Sequence, residues 1–324
     1  MKIAVCGKGG TGKSTTTALL VSHLLNKGKK ALVVDADINM HISGLLGIDR
    51  NDKLALSDDS NAKSIREYLR GSNKRIKSVE HFVKTTLPGE GSHLINLRED
   101  DFVIKNFSSQ FDDSGYYMFV GSYGNQDIGL SCYHTSLTIF ENILSHSVLS
   151  KDEYLVADMV AGTDLFANSQ YAQFDAIVLV VEPTPEGVSV FEQYVQLAKE
   201  SEVLENLYVI GNKIEDETDI EYLKKKVGER FLGGFSQKKQ IKQARQNDEV
   251  IDLSLLTAQE LKFLSDLIER VDRRGENKQK KLRLMHELHE KHAKESWLLG
   301  SVGDVSDQLD PLFIDSRAKS KISR

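Results

Sequence analysis

Only two cysteines, four prolines and one tryptophan occur in 324 residues. Cys6 and Cys132 stand far apart, which argues against a disulfide framework and suits a reducing cytoplasm. The prolines, Pro88, Pro183, Pro185 and Pro311, interrupt almost nothing, and the last three sit where a strand has ended or a tail begins. Long hydrophobic runs are missing too: nothing approaches the roughly 18 apolar residues of a membrane span. The opening MKIAVCGKGG lacks the charged, apolar and cleavage segments of an export signal in series. Basic charge is not in excess either. Forty-two Lys and Arg stand against 48 Asp and Glu, a formal net charge of −6, which argues against nucleic acid as a partner, because phosphate contacts dominate that affinity. The last residues, IDSRAKSKISR, are too polar for a membrane anchor.

What is present is the composition of a soluble globular protein, 40% hydrophobic and 28% charged. Short apolar runs, KIAVC (2–6), ALVVD (31–35), YYMFVG (116–121), YLVAD (154–158), AIVLVV (176–181) and LYVIG (207–211), alternate with amphipathic stretches. Unbroken runs of this length fit strands buried on both faces of a parallel sheet. Helices are expected at 13–27, closed by Gly28, and at about 62–70, 136–148, 187–201 and 218–229. The pattern predicts an α/β fold, a doubly wound and mainly parallel sheet flanked by helices, with a C-terminal helical extension. Residues 1–272 are read as one nucleotide-hydrolase domain with a polar insertion on its rim at about 50–115. Residues 273–324 are read as a charged helical appendage and a polar tail.

Residues 7–14, GKGGTGKS, satisfy the phosphate-binding form G-x-x-x-x-G-K-[ST]. Backbone N–H groups of Gly7, Gly9, Gly10, Thr11 and Gly12 can converge on phosphate oxygens. Lys13 offsets the β/γ charge and Ser14 offers a hydroxyl to magnesium, with Thr15 following, all at a helix N-terminus. The same letters match the dinucleotide form G-x-G-x-x-G, and Asp35 lies near the distance at which that motif wants its ribose-binding acid. The surroundings decide between them. A dinucleotide fold has no use for Lys-Ser after the last glycine or for two aspartates in VVDAD. A hydrolase needs both: Asp37 to orient the attacking water, Asp158 in VADMVAG to hold the magnesium shell, and Gly162 to offer an N–H to the γ-phosphate.

Read together, these residues resemble a known family. KGGTGKST is similar to the deviant Walker A motif of the MinD/ParA group, which includes the nitrogenase iron protein and the nickel-insertion ATPase of carbon monoxide dehydrogenase. The resemblance covers roughly residues 1–270. The order of DMVAG (158–162), VVEPTPEGV (180–188) and VIGNK (209–213) is closest to the CooC-like branch, the one that serves carbon monoxide dehydrogenase. It implies a homodimer in which Lys8 crosses to the partner subunit's nucleotide while Lys13 serves its own. A cation that reaches the transferred phosphoryl group only when two subunits close would couple hydrolysis to assembly. It implies ATP, ADP and Mg2+ as ligands, with Asn212 and Lys213 at the base and Pro183 walling the pocket. GTP stays open as the nucleotide, because NKIE lacks the aspartate of a guanine-specific N-K-x-D although Glu215 could imitate it.

CooC-like proteins carry a Cys-x-Cys pair where this chain has Cys132-Tyr133-His134, so two subunits would bring a Cys2His2 set for nickel or zinc. The bland reading makes Cys132 a small buried hydrophobe and His134 a helix cap. A second metal candidate is HELHEKH, with His286, His289 and His292; interleaved charges also fit a solvated helix face. Leu284, Leu288 and Trp297 among lysines could make a helix that binds a membrane or a partner. Three functions are expected in turn. The first is an ATP-driven dimeric switch that acts on a client protein, such as a metalloenzyme being matured. The second is a positioning or partition ATPase acting on membrane or DNA. The third is a small-molecule kinase or ligase.

Overall fold

The computed structural model describes residues 1–122, 133–247, 249–275 and 277–313. Along the chain run strands β1 (Lys2–Gly7), β2 (Lys30–Asp35), β3 (Ile95–Asn96), β4 (Ser109–Asp112), β5 (Gly115–Phe119), β6 (Ser147–Val148), β7 (Glu153–Asp158), β8 (Ala176–Val181), β9 (Leu207–Ile214) and β10 (Phe231–Ser236). The helices are α1 (Lys13–Asn26), α2 (Ile42–Leu46), α3 (Asp59–Arg70), α4 (Phe102–Phe107), α5 (Tyr133–His146), α6 (Pro185–Glu200), α7 (Glu217–Val227), α8 (Lys239–Gln246), α9 (Ala258–Arg274), α10 (Lys278–Ala293) and α11 (Ser296–Ser301). Eight strands form one sheet in the order β10-β9-β8-β1-β7-β2-β5-β4. Every neighbouring pair is parallel except β4 with β5. This is the expected doubly wound α/β sheet flanked by helices, followed by C-terminal helices.

Successive side chains on a strand point to opposite faces, and the two faces are both covered. Ala4, Cys6, Leu32, Val34, Leu155, Ala157, Ile177 and Leu179 enter one core, which α3, α5, α6 and α10 close. Ile3, Val5, Ala31, Val33, Val156, Val178 and Val180 enter the other, closed by α1 and α9. Burial on both faces is why these strands read as continuous apolar runs without polar alternation. Among the described residues, no helix is long and apolar enough to cross a membrane.

The stretch around 50–115 carries α3, α4 and β4, and sends Leu56, Ile65, Leu69, Ile76, Leu87 and Ile95 into the first core. Its polar surface conceals that contribution. Helix α10 packs inward in the same way, with Leu284 and Met285 buried in that core and Leu288 against it. Leu284 and Leu288, read together with Trp297 as a membrane or partner face, are therefore used within the chain, whereas Trp297 on α11 is exposed. Lys281 pairs with buried Asp175 at 2.9 Å. The chain after α10 is strapped to residues 81–90: Gln308 Nε2 donates to the His81 carbonyl at 2.7 Å, Thr86 donates to Gln308 at 2.9 Å, and the Glu90 N–H donates to Asp310 at 2.8 Å.

His289 lies buried in this strap, with Nε2 2.9 Å from the Val305 carbonyl and Nδ1 3.1 Å from the Thr85 hydroxyl. Burial pushes its pKa down, and Nδ1 also lies 3.0 Å from the Thr85 carbonyl. Both nitrogens are thus used in packing, and a metal on HELHEKH would have to break that packing.

Glu141 on α5 is fully buried. One oxygen accepts from the Ser169 N–H at 2.9 Å and its hydroxyl at 3.0 Å, and the other finds no hydrogen-bond partner among the described residues. Burial raises its pKa from 4.5 to about 8, with Lys84 only partly opposing. Between those two values the folded chain holds a proton that the unfolded chain releases, so folding loses stability as pH rises. Glu141→Gln, the shape of the protonated acid, is expected to flatten this dependence. It should raise stability by on the order of 4 kcal/mol at pH 8 relative to the parent. Denaturant melts at pH 5.5 and pH 8 check this, and parallel pH dependences in the two proteins would refute it.

Candidate functional site

Central strand β1 ends at Gly7 and the chain enters α1 at Lys13, so residues 8–12 lie at the C-terminal edge of the sheet. In open α/β sheets that edge is where ligands bind. The loop is tight. Thr11 returns its N–H and its hydroxyl to the Lys8 carbonyl, at 3.3 and 2.9 Å. A Cβ on Gly7 would lie 2.7 Å from the Val180 carbonyl oxygen, and Gly12 has φ +94° with Asn212 pressed against it. Asn212, at the end of β9, donates its amide to the Thr11 carbonyl at 2.6 Å, which ties the loop to the next wall of the site.

Four charged groups converge below the loop. Lys13 is buried and its Nζ lies 3.5 Å from Asp37 Oδ2, while Asn39 holds the other Asp37 oxygen through its N–H at 3.1 Å and its amide at 3.0 Å. Ser14 donates to Asp158 Oδ2 at 2.6 Å, and Thr17 reaches the second oxygen at 3.4 Å. Asp158 sits level with Asp35 across the β2–β7 pairing. Burial raises the Asp158 pKa to about 7, against the opposing pull of Ser14 and Lys13. Burial and the neighbouring Asp158 also raise Asp35. Asp35 is inaccessible and accepts from the Ile42 N–H at 2.9 Å; it anchors the turn into α2, which removes it as a ribose ligand. The Ser14 hydroxyl and a buried, undercompensated Asp158 carboxylate are hard oxygen donors that fit Mg2+.

Gly162 is held on both sides. Its N–H donates to the Gly7 carbonyl at 3.1 Å, and its own carbonyl accepts from buried Tyr194 at 2.6 Å. Contact of that N–H with a phosphate requires its release from Gly7. Cys6 lies beside Tyr194, and burial pushes its thiol up to about 12, which makes it an inert core group.

Two cavities flank the loop. The larger, about 420 Å3, runs from Gly12 and Thr15 past Asn212 and Lys213 to Phe235, Gln237 and Ile241. The smaller, about 220 Å3, lies on the other side, between Lys8, Gly9, Thr11 and the turn of Glu182 and Thr184. The fold therefore brings together Lys8, residues 9–15, Asp37, Asp158, Gly162, Asn212 and Lys213. Pro183 does not join the larger cavity; it sits in the turn whose neighbours line the smaller one. Lys213, at φ +59°, is paired with Glu182 at 2.6 Å. Cys132 and the side chain of His134 lie outside the described residues. Sequence reasoning missed Phe235, because β10 reads FLGGFS, whose paired glycines break the apolar run that announces the other strands, and with it Gln237 and Ile241 in the chain that follows.

A P-loop at the mouth of a parallel sheet, faced by carboxylates from two adjacent strands, defines a nucleotide-binding protein. The CobQ/CobB/MinD/ParA nucleotide binding domain matches residues 2–292, and the chain belongs to that family. An uncharacterized ATP-binding protein of Methanocaldococcus jannaschii is 25% identical over 275 residues, covering 83% of this chain and 98% of that protein. The carbon monoxide dehydrogenase accessory protein CooC of Rhodospirillum rubrum is 27% identical over 227 residues, covering 69% of this chain and 78% of its own length. The ParA family ATPase from Chlorobium tepidum TLS shares the fold, with TM-score 0.56 at 17% identity over 82% of this chain and 96% of that one.

Gly12→Ala tests the loop geometry. A Cβ there strains the left-handed backbone by about 1–2 kcal/mol and displaces Asn212 from Thr11. Nucleotide affinity is expected to fall at least tenfold with the fold retained by circular dichroism; unchanged affinity would show that the loop does not need this conformation.

Proposed function

We propose that the chain is an ATP-dependent dimeric switch that hydrolyses ATP to ADP and phosphate in the cytoplasm and thereby drives a client protein. The client is a metalloenzyme whose metal cofactor is being loaded. The observation that carries the reading is the grouping of buried Lys13 with Asp37 at 3.5 Å and of Ser14 with Asp158 at 2.6 Å, below a loop whose second lysine, Lys8, points out of the cluster and is exposed. Lys13 neutralises β/γ-phosphate charge inside its own subunit. Lys8 serves the nucleotide of a second subunit. Ser14 and Asp158 would hold Mg2+, which supplies charge neutralisation on the phosphates. Asp37, steadied by Asn39 and Lys13, orients the attacking water, and Gly162 passes its N–H from Gly7 to the γ-phosphate. Differential affinity of the client for the open and closed dimer is the only route by which hydrolysis can do work on it.

Similarity to the CooC accessory protein supports the metal-loading branch of this reading. Cys132 and His134 of two subunits would form the Cys2His2 set that carries nickel or zinc as cargo. The acidic net charge supports a protein client over DNA.

Lys13→Ala is expected to abolish nucleotide binding. Lys8→Ala should bind ATP within about threefold of the parent yet lose at least a hundredfold in turnover, in keeping with residues that supply transition-state charge across an interface. Calorimetric titration and phosphate release measure the two effects, and equal loss of binding in both variants would refute the assignment of Lys8. Metal content of anaerobically purified protein loaded with nickel or zinc is expected at half an equivalent per subunit with ATP. It should vanish in Cys132→Ser; the same content in both proteins would remove Cys132 as a ligand.

A further inference from the structure

One wall of the larger cavity is made at the edge of the sheet. Among the described residues β10 is an edge strand, paired only with β9, and its register shifts between Phe231 and Gly233 and again between Gly234 and Ser236. The chain that leaves it, Ser236 to Lys238, lines the cavity before α8 begins. Strand pairing ends at Ser236, opposite Ile214, and the Gln237 N–H then donates to the Ile214 carbonyl at 2.8 Å. An edge strand with two irregularities does not by itself fix a binding wall.

A carboxylate from another element supplies the missing anchor. Glu260, in the first turn of α9, is buried, and five donors converge on it. Its Oε1 accepts from the Ser236 N–H and the Ser236 hydroxyl, both at 2.8 Å. Its Oε2 accepts from Lys238 Nζ at 2.7 Å, from the Thr257 N–H at 2.7 Å and from the Thr257 hydroxyl at 3.1 Å. The Glu260 N–H in turn donates to Thr257 Oγ1 at 3.2 Å, completing a capping box. A capping box needs only the reciprocal contacts between Thr257 and Glu260. The three donors from Ser236 and Lys238 go beyond helix capping, and all three belong to the cavity wall. Phe263, one turn further along α9, meets Phe235 edge-on at 4.8 Å and packs the same loop from beneath.

We infer that Glu260 is a positioning residue for the nucleoside half of the site, holding the Ser236–Lys238 wall at the distance the base and ribose require, while the phosphates are held at the P-loop side of the site. The inference rests on the reading of the larger cavity as the nucleoside pocket of an ATP-binding protein. It assigns the two halves of one nucleotide to two parts of the fold with different anchors, joined through Asn212. Burial of Glu260 pushes its pKa up, but Lys238 and the other donors outweigh this and hold it below the ordinary carboxylate value. The anchor is therefore an ionised acceptor throughout the neutral range.

Glu260→Gln tests this, because an amide cannot accept from both Ser236 and the Lys238–Thr257 pair: one set of donors then faces an NH2 group. ATP affinity by titration calorimetry is expected to fall at least tenfold, with turnover at saturating ATP within twofold of the parent. Lys238→Met, which leaves the helix cap intact, should weaken ATP in the same direction. Thr257→Ala, which damages the cap and not the wall, should lower the melting temperature and leave ATP affinity within twofold. Glu260→Gln with parental affinity would overturn the inference, as would Thr257→Ala losing as much affinity as Glu260→Gln. Should Glu260→Gln fail to fold, parental affinity in Lys238→Met would overturn it. Failure of the parent protein to bind ATP would refute the underlying reading instead, and is distinguished by being independent of these substitutions.

Discussion

The arrangement on which the rest of the structure depends is a set of carboxylates held beneath one buried lysine. Three strands, β1, β2 and β7, end side by side, and their ends deliver Lys13, Asp35, Asp37 and Asp158 into a space with little water. Like charges this close do not all ionise without compensation, which is why burial and neighbouring charge drive Asp35 and Asp158 upward. The fold tolerates this because each group has a named partner: Ile42 for Asp35, Asn39 and Lys13 for Asp37, Ser14 and Thr17 for Asp158. Such a cluster is poised for a ligand that brings phosphate charge and a divalent cation together, since that pair rebalances both the lysine and the carboxylates.

Around this cluster the walls are anchored from different directions. The loop is braced by Asn212 from β9, Gly162 is braced by Tyr194 from α6, and the far wall is braced by Glu260 from α9. Elements remote in sequence thus converge on one edge of the sheet, and each supplies a hydrogen bond to a backbone group that the sheet leaves unpaired. The same economy appears at the opposite side of the molecule. There the segments at 81–90 and 303–310 satisfy one another through His81, Thr86, Glu90, Gln308 and Asp310, so the C-terminal chain closes a core that α5 and α6 do not cover alone.

Much of this was legible in the residues before any coordinates. The strands β1, β2, β5, β7, β8 and β9 announce themselves because double burial makes them apolar without interruption. The phosphate loop is legible because glycine, lysine and serine at that spacing serve little else. β10 was not legible, since an edge strand with paired glycines carries no such run. Nor was the inward role of residues 50–115, where buried Ala62, Ile65 and Leu69 are spaced among charges at helical intervals. The assignment of Pro183 to the base pocket followed its position in sequence, whereas the turn it occupies faces the Lys8 side of the loop.

By itself the sequence determined the class of fold, the identity of the phosphate loop and the two acids, Asp37 and Asp158, that stand opposite it. These depend on local patterns: hydrophobic runs that only a doubly covered sheet can bury, and short spacings within a few residues of a strand end. The tertiary structure alone decided which side of the loop offers the larger cavity, that Asp35 is an anchor and not a ligand, and that Glu260 reaches across to Ser236 and Lys238. Those outcomes depend on contacts between residues far apart in the chain, and no local period or spacing encodes the distance between β10 and the first turn of α9.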